Sequence, residues 1–437
     1  MDGLVNIASS ISMEEAFIFC RGLLYFSTTI IKWRILFNIA IRVLNINIMY
    51  PNLYYAFKDL FGVDFTGLKL VNSFGFFVAL AFIAAAAVLT AELKRKSKEG
   101  LLTYKEEKIV VGKPASTAEL LLNFILGFAM GYKLIGAFID RDDLIDTQTY
   151  ILSSRGNWIA GIITGLLFAF LKWQEKNKLK LAKPEERIIR IWPQDRVGDM
   201  VIYAFLFGFL GAKIFHNLEN IDDLMRDPVG SLLSFSGLTF YGGLICATIA
   251  IWQYCRKNNM KPIHVADAFA PAMMLAYGVG RIGCQVAGDG DWGIANTNPK
   301  PFSWLPDWAW SYTYPHNVLG EGIRMADCTG QYCAQLPFPV YPTPLYEIIA
   351  ALLLFAFLWS IRKKIKTPGV LTAIYLIVNG MERFLIELIR VNTKYSFLGI
   401  HPTQAELIAA FLVISGIVLL IVFTQQKNAR FNGQYKQ

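Results

Sequence analysis

"HPTQAELIAAFLVISGIVLLIVFTQQKNAR" (401–430) carries no charged side chain between Glu406 and Lys427. A run of about 20 predominantly apolar residues is what an α-helix needs to cross a bilayer's hydrocarbon core. The basic cluster "KNAR" (427–430) closes it on the side where lysine and arginine collect, the cytoplasmic side. The same alternation of apolar run and basic cluster recurs upstream. Spans are expected at 70–93, 118–139, 157–173, 199–216, 238–255, 264–284, 343–361, 369–390 and 402–424. The clusters "KRKSK" (94–98), "KWQEKNKLK" (172–180), "RKNNMK" (256–261) and "RKKIK" (362–366) fall on alternate connections. The fold class is therefore all-α, a polytopic integral membrane protein of about nine transmembrane helices. The N-terminus of its core is expected outside and its C-terminus in the cytoplasm.

Composition agrees. Of 437 residues, 54% are hydrophobic and only 17% charged, whereas a soluble domain carries roughly a quarter charged. Mean hydropathy is +0.41. The net charge of +9 sits in short clusters between apolar runs, which points to anionic lipid and away from nucleic acid. The six cysteines form neither a disulfide framework nor a zinc pattern. Cys328 and Cys333 share the loop 285–341, expected to be external, and could pair there in an oxidising compartment. The tryptophans and tyrosines of "SWLPDWAWSYTYP" (303–315) suit a water–lipid interface. His216, His264, His316 and His401 are scattered, so no metal site, no cofactor and no Ser/His/Asp constellation is expected.

Two regions are expected. Residues 1–48 include "FIFCRGLLYFSTTIIKWRILFNIAI" (17–41), an apolar stretch interrupted by Arg21, Lys32 and Arg34. It is either an extra anchor or an extension upstream of a chain that starts at Met49, and the extension is favoured. The transmembrane domain then covers 49–430 and holds an internal duplication, with hairpins at 105–174 and 184–255. "KEEKIVVGKP" (105–114) is echoed by "PEERIIRIWP" (184–193), and "GFAMGYKLIG" (127–136) by "FGFLGAKIFH" (207–216). "SSRGNWIAGIITGLLFAFLKW" (153–173) aligns without gaps on "SFSGLTFYGGLICATIAIWQY" (234–254). Ala160 of the first copy is Tyr241 in the second, so any chemistry is expected in the second.

The residues that break the apolar pattern are the candidate site. In "GRIGCQVAGDGDWG" (280–293), Arg281 stands where a span leaves the bilayer. In "MERFLIELIR" (381–390), Arg383, Glu387 and Arg390 fall at i, i+4 and i+7 on one helical face. Arg281 and Arg383 come at comparable depth toward the outer surface. Ionisable groups there cost about 2.5–3.5 kcal/mol each and face a partner or a cavity. One explanation is an internal Arg–Glu salt bridge joining helices. The favoured one, with Glu387 and nearby aspartates as the only counter-charges, is an anionic ligand held by planar guanidinium forks, and the anion at hand is a phospholipid head group. Gly280, Gly283, Gly288, Gly290 and Gly293 would let backbone N–H groups approach it. Asp289 and Asp291 either cap a surface loop or serve the site. Tyr241 is either an interfacial anchor or a catalytic group.

Together these segments resemble the bacterial prolipoprotein diacylglyceryl transferase family. "GRIGCQVAGDGDWG" is similar to its signature Gly-Arg-x-Gly-Asn-Phe-x-Asn-Gly-Glu-x-x-Gly, with one extra residue before the last glycine. "YGGLI" (241–245) resembles its His-Gly-Gly-Leu-Ile, "YPTPLYE" (341–347) its His-Pro-x-Gln-Leu-Tyr-Glu, "ERFLIELIR" its Arg-Phe-x-x-Glu-x-x-Arg, and "NSFGFFVALAF" (72–82) its first helix. The resemblance implies transfer of the diacylglyceryl group of phosphatidylglycerol to the lipobox cysteine thiol of a prolipoprotein. A thioether forms and glycerol phosphate leaves, at the outer leaflet of the bacterial inner membrane. It implies Arg281, Arg383, Tyr241 and Glu387 as catalytic residues. Gly280, Gly283, Cys284, Asp289, Gly293 and Arg390 join Arg281 in binding substrate.

The departures are Tyr241 for the family's histidine, Cys284 for asparagine, Gln285 for phenylalanine, Ala287 for asparagine and Phe74 for tyrosine. Asp289 aligns with the signature's glutamate, with Asp291 as the alternative. A phenol is a poor base at neutral pH. Either Tyr241 acts as a hydrogen-bonding group while the arginines supply the acceleration, or the activity is lost; the first is favoured. The reading from another class is a non-catalytic lipid binder or transporter. Its polar groups would more often sit near the midplane on broken helices.

Overall fold

The computed structural model describes residues 49–139, 150, 153–233, 239–326, 328–392, 395 and 401–434. The expected extension 1–48 lies outside the described residues, as do the echoed positions 234–238. The fold is helical, as expected. The long helices are α1 (Ser73–Lys98), α2 (Thr117–Ile139), α3 (Trp158–Lys178), α4 (Val197–Glu219), α5 (Phe240–Lys257), α6 (Pro262–Ala287), α7 (Thr343–Ile361), α8 (Val370–Glu387) and α9 (Gln404–Gln434). Among the described residues, six stretches are long and apolar enough to cross a membrane: α1, α2, Pro193–Glu219 containing α4, α6, α7 and Gln404–Gln425 of α9. The other three expected spans coincide with α3, α5 and α8. Charged side chains lie within these three helices: Lys172, Glu175, Lys176 and Lys178 in α3, Arg256 and Lys257 in α5, and Glu382, Arg383 and Glu387 in α8.

The centre of the fold is α6. It packs along α1 on one side and α7 on another, with α8 beside it and α9 lying along α8. Its residues facing α1, Val265, Ala268 and Ala272, are buried with Leu89 and Leu93 of α1, Met200 of α4 and Tyr254 of α5. This cluster lies at the end of the bundle where the basic clusters gather. Buried charge also joins helices there. Asp267 of α6 accepts hydrogen bonds from the backbone N–H groups of Gly369 (2.9 Å) and Thr372 (3.0 Å) and from Thr372 Oγ1 (2.8 Å). It thus supplies from another helix the acceptors that the free N–H groups at the start of α8 need. Lys96 of α1, itself buried, lies 3.9 Å from the same carboxylate. Glu92 takes both Arg95 and Arg362, the latter at 3.1 Å.

The echoed segments form two helical hairpins, α2 with α3 and α4 with α5. Their leading strands, β1 (Lys105–Val111) and β2 (Glu185–Ile191), pair with each other, antiparallel, from Lys105 opposite Ile191 to Val111 opposite Glu185. Each hairpin crosses where a glycine permits close approach. A Cβ on Gly131 would lie 2.5 Å from Ala160 O, and one on Gly211 2.6 Å from Gly242 O.

The loop between α6 and α7 is a folded cap with its own core. Trp292, Tyr312, Tyr314, Leu336 and Val340 are buried in it together with Met49. This corrects the interfacial expectation for its aromatic residues: Tyr314 is fully buried and donates to Gln285 Oε1 at 3.0 Å, while Trp304 is exposed. Cys328 and Cys333 are joined by a disulfide. The segment before α1 and the cap together complete the C-terminus of α6: Tyr50 N–H donates to Val286 O at 2.8 Å and Val318 N–H to Ala287 O at 3.0 Å, so carbonyls left over by the helix are satisfied.

Asp267→Ala would strand Lys96 and the N–H groups of Gly369 and Thr372. It is expected to lower unfolding stability in detergent by on the order of 3 kcal/mol, read as a lower thermal midpoint.

Candidate active site

At the end of the bundle away from the basic clusters, α6, α7 and α8 bring charged side chains together. Arg281 lies in the last two turns of α6, where the sequence leaves the helix at Gly288, a left-handed residue with φ +63°. Only a residue without a side chain takes that conformation at little cost, and the chain then turns back to place Asp291 over Arg281. Arg281 pairs with Asp291 and, through Nε at 3.1 Å, with Glu347 of α7. Arg383 of α8 lies 3.4 Å from Glu347 and 2.8 Å from Glu387, its neighbour one turn on. Arg390, just past α8, pairs with Asp291 and lies 3.5 Å from Glu347.

Three arginines from separate segments thus converge on Glu347, which has no exposed surface. Glu387 is held from the other side by Thr403 Oγ1 at 2.7 Å and Asn392 Nδ2 at 2.5 Å. The arginines are not left with Glu387 and the aspartates alone, as the sequence led one to expect: Glu347 is the counter-charge they share. It stands in "YPTPLYE". The signal for it was a single carboxylate followed by the apolar run "IIAALLLFAF" (348–357), a rare and costly placement.

The remaining candidates divide. Cys284 Sγ is 3.7 Å from Arg281, and Asp289 lies beside Cys284 with one oxygen buried and unpartnered. Burial, and then the charge of Asp291, push the Asp289 carboxyl above its ordinary value. Burial also works against Asp291, but Arg281 and Arg390 override it and hold that carboxyl below its ordinary 3.8. Of the two aspartates, Asp291 therefore touches the arginines. Ligand atoms of Cys284, Asp289 and Asp291 lie within 4.8 Å of one another, a spacing open to a cation, yet Asp291 already meets an arginine through each oxygen.

Tyr241, in the first turn of α5, interacts electrostatically with Arg383. The glycines act in different ways. A Cβ on Gly283 would lie 3.2 Å from Phe74 Cα, so Gly283 serves the contact of α6 with α1. One on Gly293 would lie 2.5 Å from Ile389 O, where Gly293 bridges to Arg390. Gly280 faces open space.

Two further residues belong to the cluster. Tyr277, one turn before Arg281, has its ring 5.2 Å from that guanidinium and donates to Glu347 Oε1 at 3.0 Å. Glu382, adjacent to Arg383, is buried. Sequence could have flagged them by position alone, one helical turn before one arginine and next to the other.

Comparison with known proteins places this arrangement. Residues 158–422 match the family described as prolipoprotein diacylglyceryl transferase. That stretch holds the second hairpin, the cap and every charged residue of the cluster. The phosphatidylglycerol–prolipoprotein diacylglyceryl transferase of Psychrobacter arcticus is 29% identical over 236 residues, 53% of this chain and 79% of that protein. The protein of the same name from Dehalococcoides mccartyi is 28% identical over 235 residues, 53% of this chain and 78% of its own. The one from Finegoldia magna is 24% identical over 269 residues, covering 61% and 88%.

A carboxyl held below its ordinary value contributes stability above that value and loses it as pH falls through the lower, folded value. The thermal-midpoint gap between the native chain and Asp291→Asn is therefore expected to stay constant from neutral pH to about 4 and to close only below. A gap already closing at about pH 6 contradicts the pairing.

Proposed function

The chain belongs to the prolipoprotein diacylglyceryl transferase family, and we propose that it moves the diacylglyceryl group of phosphatidylglycerol onto the lipobox cysteine thiol of a prolipoprotein. The observation that carries this is the convergence of Arg281, Arg383 and Arg390 on one fully buried carboxylate, inside the stretch that matches the family.

In the reaction, the thiol sulfur forms a bond to the terminal glyceryl carbon of the lipid as the bond from that carbon to the phosphate oxygen breaks, and the proton of the broken S–H bond ends on the departing glycerol phosphate. The electron pair of that bond leaves with the phosphate, so negative charge builds on the leaving group. Fixed cations in a site shielded from water stabilise such charge far better than water does. Arg281 and Arg383 take the phosphate oxygens, and Arg390 completes the cradle. Glu387 aligns Arg383 through the 2.8 Å contact. Gly283 and Gly293 keep the backbone around the arginines compact, Gly280 leaves open space, and Cys284 and Asp289 line the side next to Arg281. Tyr241, near Arg383, serves as a hydrogen-bonding group toward the reacting atoms.

The placement in the cell follows from charge. With the basic end of the bundle in the cytoplasm, the cluster lies at the outer face of a bacterial inner membrane, where signal peptides of exported proteins emerge. Nine crossings with the C-terminus inside belong to the same reading. The hairpins 105–174 and 184–255 read as a duplicated unit, because each enters from and returns to the basic side.

Lipid binding or transport without chemistry is the second reading. It has the same arginines but no need for a group beside them such as Tyr241. Assayed with phosphatidylglycerol and a lipobox peptide, Arg281→Ala and Arg383→Ala are each expected to lower transfer by at least about 100-fold, and Tyr241→Phe by less. Full transfer by the Arg281→Ala, Arg383→Ala double variant would overturn the proposal.

A further inference from the structure

The charge cluster poses a problem for a phosphate. Arg281, Arg383 and Arg390 are already matched by Asp291, Glu347 and Glu387, three against three. An incoming phosphodiester would add negative charge to a balanced and largely buried set, and the arginines would have to release one carboxylate to receive it. Something must neutralise that carboxylate at the same moment.

Glu382 is placed to do so. It is buried, and no salt bridge reaches it among the described residues. Its Oε2 has no hydrogen-bond partner. While the arginines are matched by their own carboxylates, an ionised Glu382 would be a buried charge without an ion pair, which costs more than holding a proton, and the nearby charges of Arg383 and Arg281 offset part of that cost when it does ionise. Its Oε1 lies 3.5 Å from the hydroxyl of Tyr277, and that hydroxyl donates to Glu347 Oε1 at 3.0 Å. The three groups form a line from Glu382 to the carboxylate that the arginines share.

We infer that Glu382 stores a proton and that Tyr277 passes it to Glu347 when phosphate arrives, so that the arginines exchange one anion for another. The inference rests on the phosphate-binding reading of the site. The step balances: the O–H bond of Glu382 breaks as its proton goes to the Tyr277 oxygen. The Tyr277 proton forms a new O–H bond on Glu347, and the tyrosine ends neutral. One negative charge moves from among the three arginines to Glu382, and the phosphate replaces it. Glu382 and Tyr277 are positioning residues, acting through Glu347 on the arginines.

The test uses the full chain in detergent micelles with phosphatidylglycerol and a lipobox peptide. Tyr277→Phe and Glu382→Gln are each expected to raise KM for phosphatidylglycerol roughly tenfold. KM for the peptide should stay unchanged, and Glu382→Asp should restore most of the affinity. Infrared difference spectra give the signature that a packing role would not move. The native chain should show a protonated carboxyl band that shifts when phosphatidylglycerol is added. That band should be missing in Glu382→Gln, and in Tyr277→Phe it should be present but not shift. Native lipid affinity in both Tyr277→Phe and Glu382→Gln, with Arg281→Ala still losing it, overturns the relay alone. Native affinity in Arg281→Ala overturns the phosphate-binding reading beneath it.

Discussion

Glu347 is the constraint on which the arrangement depends. A carboxylate with no exposed surface, in an otherwise apolar helix, is tolerable only with positive charge around it. Here Arg281 comes from the end of α6, Arg383 from α8 and Arg390 from the segment after it. Each arginine would be as costly alone. The fold therefore cannot place one of these groups without placing the others, which is how helices distant in sequence are fixed to a common geometry at one end.

The opposite end uses the same physics for a different purpose. Asp267 closes the N-terminus of α8 from α6, and Glu92 joins α1 to Arg362 beyond α7. Since α6 and α8 are pinned there, the separation of Arg281 from Arg383 at the far end is set by two rigid helices rather than by loops. The cap between α6 and α7 completes the frame. Its aromatic core and its hydrogen bonds to the last carbonyls of α6 hold Asp291 over two arginines, while Thr343 Oγ1 donates to Asp291 O at 2.6 Å.

Much of this was legible in the sequence, for reasons that differ by residue. The apolar runs gave the helices, because hydrocarbon demands internally satisfied backbone and leaves few alternatives. Arg281 and the Arg383–Glu387–Arg390 face stood out because charge is rare in such runs. What the sequence concealed was pairing. Nothing local says that Glu347, more than 50 residues past Arg281, meets the same three guanidinium groups. Nor does spacing say that Asp291 rather than Asp289 pairs with the arginines, since that depends on the left-handed turn at Gly288 and Gly290. The aromatic residues of the cap were misjudged for a related reason: composition suits an interface or a small core equally well, and only the folded loop decides.

In the proposed reaction, the replacement of the family's histidine by Tyr241 places the weight of the chemistry on the arginines. A site whose cations are held in advance can stabilise a phosphate leaving group without a strong base beside the thiol, provided the carboxylate between the cations yields its place. The most direct measurement is the mass spectrum of a lipobox peptide incubated with the purified full chain and phosphatidylglycerol vesicles. The expected result is a peptide carrying one diacylglyceryl group in thioether linkage, with free glycerol phosphate released in equal amount. An unmodified peptide, with phosphatidylglycerol bound to the chain but intact, contradicts it.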